Sequence, residues 1–173
     1  MLAHNRIAVL HGVNLDQLGR RDPAVYGDLD YDRLTQRIGE FASELELSAQ
    51  FFQTNSEGDL VEHLHRVHDI ADAIIINPGA WTHYSYAIRD ALEIAALPAV
   101  EVHLSDIQNR EEFRRVSVIS DICLATISGQ GVDGYRPALE ALVVASALVQ
   151  KYVGGQPVKK IVVVPGRLIN VVV

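Results

Sequence analysis

Ala73-Ile74-Ile75-Ile76 is the stretch on which the fold turns. It is a short apolar, β-branched run that stops where polar residues begin, and it therefore reads as a strand. Just beyond it, Ala87, Ile88, Ala91, Leu92 and Ala95 recur every three or four positions, the spacing of one helix face. Working outward, four more apolar runs occupy 7–10, 48–52, 99–102 and 124–127. Amphipathic segments separate them. Leu34, Ile38, Phe41, Ala42 and Leu45 form one stripe opposite Arg33, Arg37, Glu40 and Glu44; Leu60, Val61, Leu64 and Val67 form a second; a last runs over about 137–152. Five strand–helix units joined by right-handed crossovers predict an α/β fold: a flavodoxin-like, doubly wound, five-stranded parallel sheet flanked by helices.

The chain has 173 residues, enough for one core but marginal for two, so 1–153 is expected to be one catalytic domain. A hydrophobic share of 49% with 21% charged residues excludes a disordered or collagen-like chain. Lys and Arg total 15 against 22 Asp and Glu, a net charge of −7, and no block of like charges occurs. A general nucleic-acid surface is excluded on that balance, because neutralising phosphates needs clustered cations. Cys123 is the one cysteine, which rules out an internal disulfide and a thiolate cluster and suits a reducing, cytoplasmic setting. No apolar stretch approaches the roughly 20 residues that cross a bilayer, and the run 7–10 is too brief for a signal-peptide core. Gly154-Gly155-Gln156-Pro157 marks a break before the Val-rich tail, 154–173, which reads as one or two strands around Pro165-Gly166. Such a tail would be an edge strand or an oligomer contact; exposed and unpaired it would aggregate, so cover from another subunit is expected.

In an open parallel sheet the ligand site lies beyond the carboxyl ends of the strands. The residues there are polar after every strand: His11, Gly12 and Asn14; Gln53, Asn55 and Glu57; Asn77 and His83; His103 and Ser105; Ser128 and Gly129. Singly, each Asn is explained by a turn or cap and each His by a satisfied structural contact. Their convergence on one edge makes a site. A strand period of two puts Glu101, His103 and Ser105 on one side, so that a carboxylate–imidazole contact is reasonable. The loop Gly19-Arg20-Arg21-Asp22-Pro23-Ala24-Val25-Tyr26-Gly27 adds a tyrosine and two arginines. A free phenol stays protonated to about pH 10, so Tyr26 can act as a base near neutrality only if a cation stabilises its anion, and Arg21 is the candidate.

Two other patterns lead nowhere. Gly129-Gln130-Gly131-Val132-Asp133-Gly134 has the spacing of a dinucleotide fingerprint, but it follows the fifth strand rather than the first and lacks the later acid that would hold a ribose. Helix packing accounts for its glycines. His63, His65 and His68 share a helix without the i, i+4 pairing that brings two imidazoles to one metal, so a solvated face is expected and no metal.

Gly12-Val13-Asn14-Leu15-Asp16-Gln17-Leu18-Gly19, Arg21-Asp22-Pro23 and Tyr26-Gly27 resemble the N-terminal signature of the type II 3-dehydroquinate dehydratases. Further blocks follow in the family's order: Asn55-Ser56-Glu57-Gly58, Asn77-Pro78-Gly79-Ala80-Trp81-Thr82-His83, Asp90-Ala91, Glu101-Val102-His103-Leu104-Ser105, Arg110-Glu111-Glu112-Phe113-Arg114, and Gly129, Gly131, Gly134 and Tyr135. The resemblance spans about 7–149. It implies a cofactor-free, metal-free dehydration of 3-dehydroquinate, a small anionic cyclic substrate, by anti elimination through an enolate, in a dodecamer of four trimers. By the same resemblance Tyr26 is the base with Arg21 lowering its pKa, Asn14 holds a water against the enolate, His103 is the general acid and Glu101 orients it. Asn77, Ser105 and the backbone near Leu104 would hold the substrate carboxylate, His83 and Arg114 the ring hydroxyls. Asp90 would reach a neighbouring subunit's site.

The chain departs from the pattern at four places. His11-Gly12-Val13-Asn14 stands for Asn-Gly-Pro-Asn, Asp16 for Asn, Asp22 for Glu or Gln, and Ser105-Asp106 for Ser-Asn. Asp16 and Asp106 would add negative charge near a carboxylate site, which leaves open a related substrate such as the amino analogue of dehydroquinate, and a silent paralogue kept for binding or assembly is a third reading. His11 is expected to titrate near neutral pH.

Overall fold

Each of the five expected strands forms in the computed structural model, which describes residues 5–20, 29–146, 150–151, 159–164 and 168–172. The strands β1 (Arg6–His11), β2 (Ser48–Gln53), β3 (Ala73–Asn77), β4 (Ala99–His103) and β5 (Ala125–Ser128) pair in parallel in the order β2-β1-β3-β4-β5. That is the flavodoxin-like order, in which the winding reverses between β1 and β3 and opens a crevice there.

Four helices cover the sheet: α1 (Tyr31–Glu44), α2 (Glu57–Ile70), α3 (Tyr86–Ala95) and α4 (Tyr135–Ala145). Alternation along the strands decides which helices each residue meets. Ile7 and Val9 of β1 pack with Leu34, Ile38 and Phe41 of α1 and Leu139 of α4, whereas Ala8 and Leu10 pack with Leu60 and Leu64 of α2 and Ile88 of α3. β3 and β4 are buried along their whole length; β3 is apolar on both faces up to Asn77, whereas one face of β4 carries the buried Glu101 and His103. Each buried Ile or Val of these strands contributes about 1.5–3 kcal/mol of transfer free energy. Asp30, Ser56 and Ser85 cap α1, α2 and α3 by accepting from Arg33 N at 2.8 Å, Asp59 N at 3.3 Å and Ile88 N at 3.0 Å. α3 stops at Ala96, whose left-handed φ of 52° is usually left to glycine.

The expected bounds need three corrections. α4 ends at Ala145, because Ser146 turns to extended backbone with φ −61° and ψ 139°; of the residues further along the expected stripe, only 150–151 are helical among those described. Ala87 lies on the exposed side of α3. The strand expected at 124–127 begins one residue later and leaves Leu124 exposed. The tail forms two strands, β6 (Lys160–Val164) and β7 (Leu168–Val172), antiparallel to each other with Val162 opposite Asn170. Among the described residues they pair with each other and with no strand of the main sheet. Pro165-Gly166 and the break 154–157 lie outside the described residues.

Candidate active site

The crevice between β1 and β3 exists because two glycines let backbone pass backbone. A Cβ on Gly12 would stand 2.2 Å from Pro78 O, and one on Gly79, at φ 65°, would stand 2.6 Å from Val13 O. Gly12 N instead donates to Asn77 O at 2.8 Å and ties the two strand ends together. Asn14, also left-handed at φ 66°, follows the first crossing and is anchored by its own N–H to Asn55 Oδ1 at 2.7 Å.

A cavity of about 110 Å³ opens there, and seven of the residues expected at the site line it or stand at its wall: Asn14, Asn77, His83, His103, Leu104, Ser105 and Arg114. Arg110, which the sequence reading left without a role, lines it as well, with Nη1 donating to Ser105 Oγ at 3.4 Å. Two guanidiniums in a chain of net charge −7 give the cavity a local positive wall suited to an anion. Glu111 approaches both, at 3.4 Å from Arg110 Nε and 3.2 Å from Arg114 Nε. The Arg114 contact lacks hydrogen-bond alignment, so its buried Nε–H is without an acceptor among the described residues.

Behind the cavity stands Glu101, fully buried on β4. His103 Nε2 lies 2.7 Å from Glu101 Oε1, the contact expected from the strand period. Hydroxyls complete the carboxylate's shell: Ser117 Oγ donates to Oε1 at 2.9 Å or to Oε2 at 3.0 Å, Thr126 Oγ1 to Oε2 at 3.0 Å, and Thr82 Oγ1 to Oε1. Burial pushes the Glu101 carboxyl up, but the His103 bond and charge and the hydroxyl donors outweigh it, and the net shift is downward. Glu101 is thus an anion held for His103, leaving Nδ1 as the ring nitrogen open to the cavity. Sequence reasoning missed all three hydroxyls. Thr82 sits inside a recognised block and was legible there, but Ser117 and Thr126 arrive from distant segments.

His83 Nδ1 donates to Val116 O at 2.7 Å, since a carbonyl can only accept. Burial pulls its pKa down, partly offset by that carbonyl, so it is neutral with Nε2 as an acceptor. Asp90 is exposed on α3 and does not line the cavity. Tyr26 and Arg21 lie outside the described residues, as does Asp22.

The two added carboxylates are spent elsewhere. Asp16 Oδ2 accepts from Gln17 Nε2 at 2.7 Å and Asn55 Nδ2 at 3.1 Å. Asp106 caps the single turn Ile107–Asn109, accepting from Gln108 N at 3.0 Å and Asn109 Nδ2 at 2.6 Å. Neither side chain lines the cavity, although both are chain neighbours of residues that do: Leu15, Ser105 and Ile107. The expectation for His11 is corrected: fully buried, its ring is pulled down to about 3 by desolvation and stays neutral at physiological pH.

The remaining side chains singled out in the sequence have structural contacts. The Cys123 thiol is pushed up to about 12 by burial and then by the charges of Glu101 and Asp121, which makes it unreactive. His63 stacks on Phe52 at 4.0 Å, and no group of three metal-ligating side chains gathers among the described residues. Gly134 lets α4 approach β5, a Cβ there standing 3.3 Å from Ile127 Cγ2.

A family model described as class II dehydroquinase matches residues 5–143. Proteins named 3-dehydroquinate dehydratase from Pelotomaculum thermopropionicum and Thermotoga neapolitana are each 50% identical, over 136 and 135 residues, covering 79% and 78% of this chain and 94% and 92% of theirs. The crystal structure of type II dehydroquinase from Butyrivibrio crossotus superposes with a TM-score of 0.78 at 40% identity, and that from Propionibacterium acnes with 0.76 at 43%. Each comparison covers 82% of this chain and 99% of the other. With the ordered sequence blocks, the 2-1-3-4-5 sheet and the histidine–carboxylate pair at its switch point all in agreement, the chain belongs to the class II dehydroquinase family.

Proposed function

We propose that this protein dehydrates 3-dehydroquinate to 3-dehydroshikimate by anti elimination through an enolate. The observation that carries the reading is the buried Glu101–His103 pair opening onto a cavity walled by Arg110 and Arg114. Tyr26, as a phenolate stabilised by Arg21, removes the C2 proton. A proton alpha to a ketone is only weakly acidic, so the developing enolate needs a polar partner, and Asn14 at the cavity mouth is the family position that supplies it through a water. His103 donates its proton to the departing C1 hydroxyl, which leaves as water, and Glu101 holds the ring in place through its contact with Nε2. Asn77, Ser105 and the backbone of Leu104 hold the carboxylate, while His83 and Arg114 meet the ring hydroxyls. The family resemblance implies that the reaction runs without a metal or cofactor; the elimination itself leaves the oxidation state of the substrate unchanged.

In the dodecamer that the resemblance implies, Asp90, exposed on α3, would face a neighbouring copy's site. Dehydroquinate serves both shikimate synthesis and quinate breakdown, and the same site chemistry suits either. The amino analogue is the second reading, since Asp16 and Asp106 keep their charge beside lining residues while bonded to Asn55 and Asn109.

Purified protein mixed with 3-dehydroquinate is expected to produce the absorbance of a conjugated enone. Turnover of the amino analogue alone would select the related substrate, and absence of turnover on either would mark a silent paralogue. Tyr26→Phe is expected to cut kcat by about 10²–10⁴-fold, the range of an acid–base group, and near-native turnover would remove Tyr26 from the role.

A further inference from the structure

Behind Asn77 a second polar chain crosses the core. His11 Nε2 lies 2.9 Å from the Tyr135 hydroxyl and Nδ1 lies 3.1 Å from that of Tyr31. The Tyr135 hydroxyl also stands 3.4 Å from Asn77 Nδ2, and Asn77 Oδ1 accepts from the Gly79 N–H at 3.2 Å. His11 and Tyr135 are fully buried and Asn77 nearly so.

Donor and acceptor counting gives this chain one direction. A backbone N–H can only donate, so the Gly79 contact fixes which end of Asn77 is oxygen. Nδ2 therefore donates to Tyr135. The hydrogen of Tyr135 then has one acceptor among its described partners, His11 Nε2, and the alternative leaves a buried hydroxyl unpaired. An imidazole accepting at Nε2 carries its hydrogen on Nδ1, and that hydrogen goes to Tyr31. Both tyrosine rings meet the imidazole edge-on, at 81° and 84°, which holds the ring in this orientation. The desolvation that keeps His11 neutral agrees with the assignment, because an imidazolium would leave Tyr135 with nothing to donate to.

Asn77 is thereby left with one amide N–H committed to the core and a second for the cavity it lines. We infer that His11, as the neutral Nδ1–H tautomer, is a positioning residue that acts through Tyr135 to aim the free N–H of Asn77 at an anion bound in the cavity. The inference rests on the proposed dehydratase reading for the identity of that anion, but the tautomer itself does not.

Ring ¹⁵N NMR of the wild-type protein, with the His11 signals assigned by their loss in His11→Gln, is expected to show a protonated Nδ1 and a bare Nε2, unchanged from about pH 5 to about pH 8. An Nε2–H tautomer, or an imidazolium within that range, would overturn the inference. Tyr135→Phe and His11→Leu are expected to raise KM for 3-dehydroquinate about tenfold with kcat within about threefold, the pattern of a lost uniform binding contact. His11→Gln, whose Oε1 can accept where Nε2 did, should return KM to within about threefold of wild type. An unchanged KM in Tyr135→Phe, or a loss confined to kcat, overturns the positioning role. If either variant fails to fold, the wild-type tautomer decides. If the wild type turns over no dehydroquinate, the dehydratase reading falls, and the positioning role is then read from the Asn77 side-chain amide signals, which must shift in Tyr135→Phe for it to stand.

Discussion

Glu101→Gln keeps the volume of the side chain and removes only its charge. The amide oxygen can stay at the Oε1 position and accept from His103 Nε2, Thr82 and Ser117, while the NH₂ meets Ser117 and Thr126, whose hydroxyls can rotate to accept. The fold should therefore survive with a change of about 1 kcal/mol. Catalysis loses more. At 2.7 Å the charge pair is worth about 6 kcal/mol by Coulomb's law with an effective dielectric of about 20. Part of that is retained, because the neutral amide still accepts the bond, and part was offset by the cost of desolvating the carboxylate. Loss of the charge that holds His103 is expected to raise the barrier by about 2–4 kcal/mol, a fall in kcat/KM of roughly 30- to 1,000-fold. Initial rates from the enone absorbance, read beside a thermal melt, make the test. A folded variant retaining kcat/KM within about threefold would refute the claim that the Glu101 charge serves the general acid.

Three further outcomes follow from the same coordinates. Because the Glu101 pKa is lowered on folding, its contribution to stability is present above the unfolded carboxylate range near pH 4.3 and is lost as pH falls below it; urea midpoints measured from about pH 6 down to about pH 3 should drop less steeply in Glu101→Gln than in wild type, and parallel curves would contradict this. Gly12→Ala should destabilise by more than about 2 kcal/mol, since its Cβ would meet the Pro78 carbonyl at 2.2 Å, and a native urea midpoint would show that the crossing can open. Ala96→Gly should raise the melting temperature, worth about 1 kcal/mol at most, because φ 52° costs alanine more than glycine; a lower melting temperature would mean that the alanine methyl packs usefully there.

Much of the molecule was legible along the chain because its determinants are local. Hydrophobic period placed every strand of the main sheet within a residue or so, and the stripe Leu34, Ile38, Phe41, Ala42, Leu45 is buried as a unit. The rule that strands point their carboxyl ends at the site gathers Asn14, Asn77, His83 and His103 from the chain alone, and the period of a strand brings Glu101 to His103. The end of α4 was harder to read, since the apolar stripe continues past the point at which Ser146 leaves helical geometry.

What the tertiary structure alone decided is how charge and protons are held. The sequence supplies a carboxylate two residues before a histidine. Only packing brings Ser117 and Thr126 onto that carboxylate and keeps it anionic while it is buried. Nor could any spacing rule place His11, which reads as a neutral-pH titrating group but is sealed between Tyr31 and Tyr135 from elements 20 and 124 residues away. The physical reason is the same in each case: desolvation and long-range hydrogen bonds depend on which surfaces meet, and that is settled by the sheet order rather than by any neighbour along the chain.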